Sequence, residues 1–124
     1  MKDKRPVNLD LSTIRLPLAA WASITHRVSG VILFIGIAIL LYLFDLSLSG
    51  DAGFAEVQEL ASSGLCRFIL WALLSALAYH LVAGTKHLLL DLGIGESRTG
   101  GPLGARIVLA VSALIIILLG VWIW

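Results

Sequence analysis

A chain of 124 residues that is 59% hydrophobic and 14% charged, with a mean hydropathy of +0.98, is too apolar for a soluble domain of its size, whose surface is large relative to its core. A formal net charge of +1 excludes the broad basic field that nucleic acid requires. The single Cys66 excludes an internal disulfide or a multi-cysteine metal site. The composition is that of an all-α integral membrane protein in a lipid bilayer, with no nucleic-acid partner.

The chain reads as one membrane domain, residues 1–124, preceded by an arm over 1–20. Pro6 and Pro17 keep the arm from forming one helix, while Ser12 or Thr13 offers a cap for a short interfacial one. No apolar stretch precedes residue 17, and Asp3 and Asp10 do not suit an acid-poor transit peptide, so the expected address is a bacterial inner membrane. The first span has a charge-free run over 28–44 that extends back through Arg27 to Trp21, giving about 21–45. Gly50 to Gly53 reads as a turn, and Cys66 as a small residue at the next helix entrance. The second span is broken only by His80 and a few small polar residues over 68–85 and is placed at about 66–91. Gly93, Gly95, Gly100, Gly101 and Pro102 delimit the second loop, and the ionisable-free run over 107–124 gives a third span at about 104–124. Runs of this length rise roughly 26–27 Å at 1.5 Å per residue, close to the thickness of a hydrocarbon core once the flanks add a turn.

Basic residues set the expected orientation. Lys2, Lys4, Arg5 and Arg15 lie in the arm and Lys86, Arg98 and Arg106 flank the second loop, whereas the first loop carries Asp45, Asp51, Glu56 and Glu59 against Arg67 alone. The positive-inside rule then places the N-terminus and second loop in the cytoplasm and the C-terminus in the periplasm. Trp21 falls at the inner interface, with Trp71, Trp122 and Trp124 at the outer one.

Ionisable groups inside apolar spans mark function or a cofactor, because burying them in lipid is costly. In the second span Ala76, His80, Gly84 and His87 fall at i, i+4, i+8 and i+11, on one helix face. Small residues one turn before and after His80 predict a recess on either side of its imidazole, a shape suited to a flat macrocycle bound through its central metal. Zinc is disfavoured, since a closed site wants four ligands that the neighbourhood of His80 does not supply. A haem needs only one axial imidazole from each side. The bland alternative is a neutral histidine hydrogen-bonded to a neighbouring helix. His87 lies seven residues on, roughly 10 Å along the axis, with Lys86 beside it as a basic rim for haem propionates, although Lys86 and His87 also suit an interfacial anchor and Gly84 a packing site.

In the first span Ser23, His26 and Arg27 share one turn, Ser23 standing four residues from Arg27 and three from His26. Arg27 alone reads as a snorkelling anchor. A hydroxyl and a guanidinium aimed together also offer hydrogen bonds to a carbonyl oxygen and a cation for the negative charge that develops when a quinone is reduced. The third span, with Ser112 and Gly120 its only small polar or flexible marks, reads as scaffold.

Three stretches carry a family resemblance. Arg5-Pro6-Val7-Asn8-Leu9-Asp10-Leu11, Ser23-x2-His26-Arg27-x-Ser29-Gly30 and His80-x3-Gly84-x-Lys86-His87-x3-Asp91-x-Gly93 occur in order on a three-span chain. This pattern resembles the cytochrome b, or C, subunit of the succinate dehydrogenase membrane anchor in respiratory complex II. The resemblance implies three transmembrane helices forming one half of a heterodimeric haem-binding helical anchor. It implies His80 as axial ligand of haem b, with the opposite ligand from the sister anchor subunit. It also implies Ser23 and Arg27 at the ubiquinone site, and His26, Arg27 and His87 near the haem propionates. No catalytic residue is assigned.

Two positions depart from the family pattern: Lys86 stands where arginine is more frequent, keeping the charge but not the planar fork, and Leu90 where a bulky aromatic or methionine is usual. The chain has neither an FAD fingerprint nor cysteines for iron–sulfur clusters, so succinate oxidation is expected in partner subunits, a flavoprotein and an iron–sulfur protein. Electrons from them would reach ubiquinone in the respiratory chain and tricarboxylic acid cycle. The alternatives are an anchor of the fumarate reductase type, working as a quinol oxidoreductase, and a non-redox membrane scaffold.

Overall fold

The structure, a computed structural model, describes residues 6–7, 9–10, 12–97 and 100–124. Lys2, Lys4, Arg5, Asn8, Leu11 and Arg98, which enter the orientation and motif arguments, lie outside the described residues. Among the described residues four helices follow in order: α1 (Leu18–Leu48), α2 (Asp51–Ser62), α3 (Gly64–Asp91) and α4 (Gly100–Ile123). Three of them, α1, α3 and α4, are long and apolar enough to cross a bilayer. Their 31, 28 and 24 residues rise about 46, 42 and 36 Å, more than a hydrocarbon core of roughly 30 Å, so each projects beyond it or tilts.

Among the described residues of the arm, no helix starts at Ser12 or Thr13, the caps offered for a short interfacial one. Instead the Asp10 carboxylate accepts hydrogen bonds from the Ser12 amide at 3.0 Å and the Ser12 hydroxyl at 2.6 Å, and the Thr13 amide donates to the Asp10 carbonyl, closing a turn. These donors hold the Asp10 carboxyl below its ordinary pKa.

The segment that reads as a turn from Gly50 to Gly53 is a turn only at Gly50, which adopts φ +135° at the sharp reversal between α1 and α2. Gly53 lies inside α2, where an added Cβ would meet the Leu46 carbonyl oxygen and the Ser49 hydroxyl well inside contact distance. Close packing onto the end of α1 holds a helix that glycine alone disfavours. The Ser63 hydroxyl then caps α3 by accepting from the Cys66 amide at 3.2 Å. At the far end of α3, Gly93 at φ +79° closes a Schellman motif, with the Ile94 amide donating to the Leu89 carbonyl and the Gly93 amide to the Leu90 carbonyl. Gly100, Gly101 and Pro102, expected in the loop, form the first turn of α4, where a proline costs no intrahelical hydrogen bond. Ser97 satisfies that turn by accepting from the Gly100 and Gly101 amides.

Helix α3 packs against both α1 and α4 and runs antiparallel to them, while α1 also touches α4. Gly30 and Gly36 of α1 meet His80 and Leu73 of α3, and Gly104 and Gly120 of α4 meet Lys86 and Trp71 of α3. The buried stripe of α1 is Ala22, Ser29 and Gly36, seven residues apart, and that of α4 is Ala105, Val108 and Ser112. Small residues at these crossings let backbones approach closely, which is how helices associate where lipid removes the hydrophobic drive between them. Trp71, expected to face the outer interface, is half-buried between α3 and α4, with its Nε1 donating to the Ile116 carbonyl at 3.0 Å and Trp124 edge-on to its ring. Most large apolar side chains face outward, as suits lipid or partner helices.

Candidate functional site

The site is built where α1 crosses α3. Tyr79 and His80, adjacent on α3, reach carbonyls one turn apart on α1. The Tyr79 hydroxyl donates to the Ala22 carbonyl at 2.9 Å and meets the Thr25 hydroxyl, which itself donates to the Trp21 carbonyl. His80 Nδ1 lies 3.2 Å from the His26 carbonyl oxygen and 2.9 Å from Ser29 Oγ. Two polar side chains thus fix the register of the two helices at this depth.

The neighbours of His80 Nδ1 suit a proton on that nitrogen. The His26 carbonyl only accepts, and the Ser29 hydroxyl donates to that same carbonyl at 2.5 Å. Both neighbours of Nδ1 therefore present lone pairs, and a proton on Nδ1 satisfies them. A neutral imidazole with hydrogen on Nδ1 carries its free lone pair on Nε2.

The other two histidines gather against His80. The His26 ring stacks on it with centroids 4.2 Å apart and planes 13° from parallel, and His87 approaches His26 at 5.1 Å. Glycines make the crossing possible: a Cβ on Gly30 would stand 3.2 Å from His80 Cε1, and one on Gly84 would stand 3.3 Å from His26 Nε2. The His26 imidazole lies against Gly84, on one side of the recess beside His80. His26 Nε2 is buried without a hydrogen-bond partner among the described residues. A cavity of about 400 Å³ opens onto His26, His80, Gly84 and His87, bordered by Leu81, Thr85 and Leu88. Among the described residues no three His, Cys, Asp or Glu side chains converge as a metal site.

Ser23 and Arg27 stand on the neighbouring face of α1, with Ser23 half-buried and Arg27 exposed at the edge of the bundle. Lys86, expected to rim the same site as His87, lies elsewhere: its methylene stem covers Gly104 of α4, because successive residues of a helix project about 100° apart. Ser29, which the sequence reading assigns no role, is central. It belongs to the first-helix motif and stands three residues after His26 and seven after Ala22 on a stripe of small residues.

Residues 1–119 match the family described as the succinate dehydrogenase/fumarate reductase transmembrane subunit. The chain is 41% identical over 125 residues to the succinate dehydrogenase cytochrome b556 subunit of Coxiella burnetii, covering all of both chains. It is 33% identical to the subunit of the same name from Paracoccus denitrificans, over 93% of each chain. It is also 32% identical to that of Rickettsia felis, over 96% of this chain and 93% of the other. With its three membrane-length helices and a match over nearly its whole length, this chain belongs to the family of transmembrane subunits of succinate dehydrogenase and fumarate reductase.

Proposed function

We propose that this membrane anchor of complex II binds haem b through His80 and ubiquinone beside Ser23 and Arg27, in the transfer of electrons from succinate oxidation to the respiratory quinone. The observation that carries the reading is the state of His80, whose Nδ1 is engaged by Ser29 and the His26 carbonyl so that Nε2 keeps a free lone pair. That is the form a metal-ligating imidazole takes, with its second nitrogen hydrogen-bonded.

The residues fit the group. An orphaned His26 Nε2 beside a cavity of about 400 Å³, with His87 across it, offers polar partners for the carboxylates of a tetrapyrrole in an otherwise apolar setting. Bound there, haem b supplies one-electron redox chemistry. His80 would hold it together with a ligand from a second membrane-anchor subunit. His26, His87 and Arg27 neutralise and hydrogen-bond the propionates. Ser23 donates a hydrogen bond to a quinone oxygen, and the Arg27 guanidinium stabilises negative charge as it develops there. Arg27 is exposed at the bundle edge, which suits a site completed by neighbouring subunits.

A flavoprotein and an iron–sulfur protein dock at the cytoplasmic end, against the arm and the second loop, and bring FAD and the clusters. The chain lies in a bacterial inner membrane with its N-terminus cytoplasmic and its C-terminus periplasmic, an orientation supported by the charge asymmetry of its loops and the antiparallel run of α1, α3 and α4. A reduced-minus-oxidised spectrum of the purified complex tests the ligand: His80→Ala removes or alters the b-type absorbance, and an unchanged spectrum contradicts the assignment. Quinone reductase activity tests the other site, where Arg27→Ala lowers turnover and an unchanged rate refutes the quinone role.

A further inference from the structure

We propose that Ser29 is a positioning residue for the haem: its hydroxyl fixes the tautomer and ring plane of His80 and so sets the donor strength of the Nε2 ligand atom. The inference rests on His80 as the axial ligand.

Ser29 is 5% exposed, on the inner stripe of α1, and its oxygen makes two contacts with different roles. It donates to the His26 carbonyl at 2.5 Å and lies 2.9 Å from His80 Nδ1. A hydroxyl has one hydrogen, and once that is given to the carbonyl the oxygen faces Nδ1 as an acceptor. The same proton draws on the His26 carbonyl, the second acceptor for Nδ1 at 3.2 Å. Ser29 is thus the shorter of two acceptors and the group that orients the pair.

An acceptor on Nδ1–H pushes electron density through the ring to Nε2, which favours the more highly charged ferric iron. Gly30 lets the His80 ring sit close against α1, since an added Cβ there would stand 3.2 Å from His80 Cε1, so Ser29 and the His26 carbonyl reach Nδ1 from the same turn of α1. The ring also stacks on His26, so its tilt is passed to the side chain proposed to meet the propionates.

Loss of a hydrogen-bonding partner behind a ligating histidine weakens ligation about 10–100-fold. The His26 carbonyl remains after Ser29→Ala, so the low end applies. A tenfold loss of ferric over ferrous preference is about 59 mV for one electron. The test uses the whole complex, purified with its partner subunits, in a potentiometric titration of haem b alongside its reduced-minus-oxidised spectrum. Ser29→Ala keeps the haem and moves its midpoint potential positive by about that amount, while Ser29→Thr, which keeps the hydroxyl, stays near the parent. Haem present at an unchanged potential in Ser29→Ala overturns the role of Ser29 and leaves His80 as ligand. A His80→Ala complex with an unaltered haem spectrum overturns the ligand reading itself. If Ser29→Ala does not assemble, Ser29→Cys against Ser29→Thr decides: the thiol is the poorer acceptor, and equal potentials in the two overturn the proposal.

Discussion

Gly36→Ala tests the claim that close helix approach holds this fold together. The new methyl would stand far inside ordinary carbon–carbon contact of roughly 3.5–4.0 Å with Leu73 Cδ2, and 3.3 Å from both Cδ1 and Cγ. Leu73 is 7% exposed, so its isobutyl group lacks an easy exit, and relief requires a new rotamer or separation of α1 from α3. Overpacking of this kind costs about 1–3 kcal/mol. The same separation loosens the His80–Ser29 contact two turns away, so retention of the proposed haem should fall with thermal stability. The assay is a double-mutant cycle with Leu73→Ala, read by thermal unfolding of the detergent-solubilised complex. Leu73→Ala alone costs about 2–5 kcal/mol through its cavity, and the pair should lose less than the sum because the methyl occupies part of that cavity. A Gly36→Ala complex with unchanged melting, or strict additivity in the cycle, would refute the reasoning.

Tyr79→Phe removes the hydrogen bond to the Ala22 carbonyl and the contact with the Thr25 hydroxyl, and should cost about 0.6–1.7 kcal/mol in thermal unfolding. After Thr25→Val the Tyr79 hydroxyl keeps its bond to the Ala22 carbonyl, so that change should cost no more than Tyr79→Phe. Gly93→Ala forces a side chain into φ +79° and should destabilise the end of α3 by about 1–2 kcal/mol, seen as faster amide exchange at Gly93 and Ile94. The Asp10 carboxyl titrates below the ordinary value of 3.8 because Ser12 donates to its charged form, so the contribution of the carboxylate to the turn is fully present above that value and lost as pH falls through the lowered pKa. Carboxyl chemical shifts in Ser12→Ala should show the midpoint returning towards 3.8, and an unmoved midpoint would remove Ser12 as the cause.

The amino-acid sequence by itself determined the class of this protein and the number of its long helices. Apolar runs free of charge have one stable form in lipid, a helix that satisfies its own backbone, and this needs no knowledge of neighbours. It also singled out His80, His26 and His87, because ionisable groups stand out against such runs. What it could not express were contacts between helices. Gly53 and Pro102 read as loop signals, yet both lie in helices, the one held by packing onto the end of α1 and the other tolerated in a first turn. Lys86 and His87 are adjacent in sequence and so read as one rim, but the 100° step between them sends Lys86 to α4 and leaves His87 near His26. Gly84 marks a recess by spacing alone, and only the crossing of α1 and α3 decided that His26 lies against it. Ser29 carries no chemical signal in a list of residues, since serine is common in membrane helices. Its importance arises where one hydroxyl meets an imidazole and a carbonyl from two helices at once, a meeting that the packing angle and small residues of the bundle create.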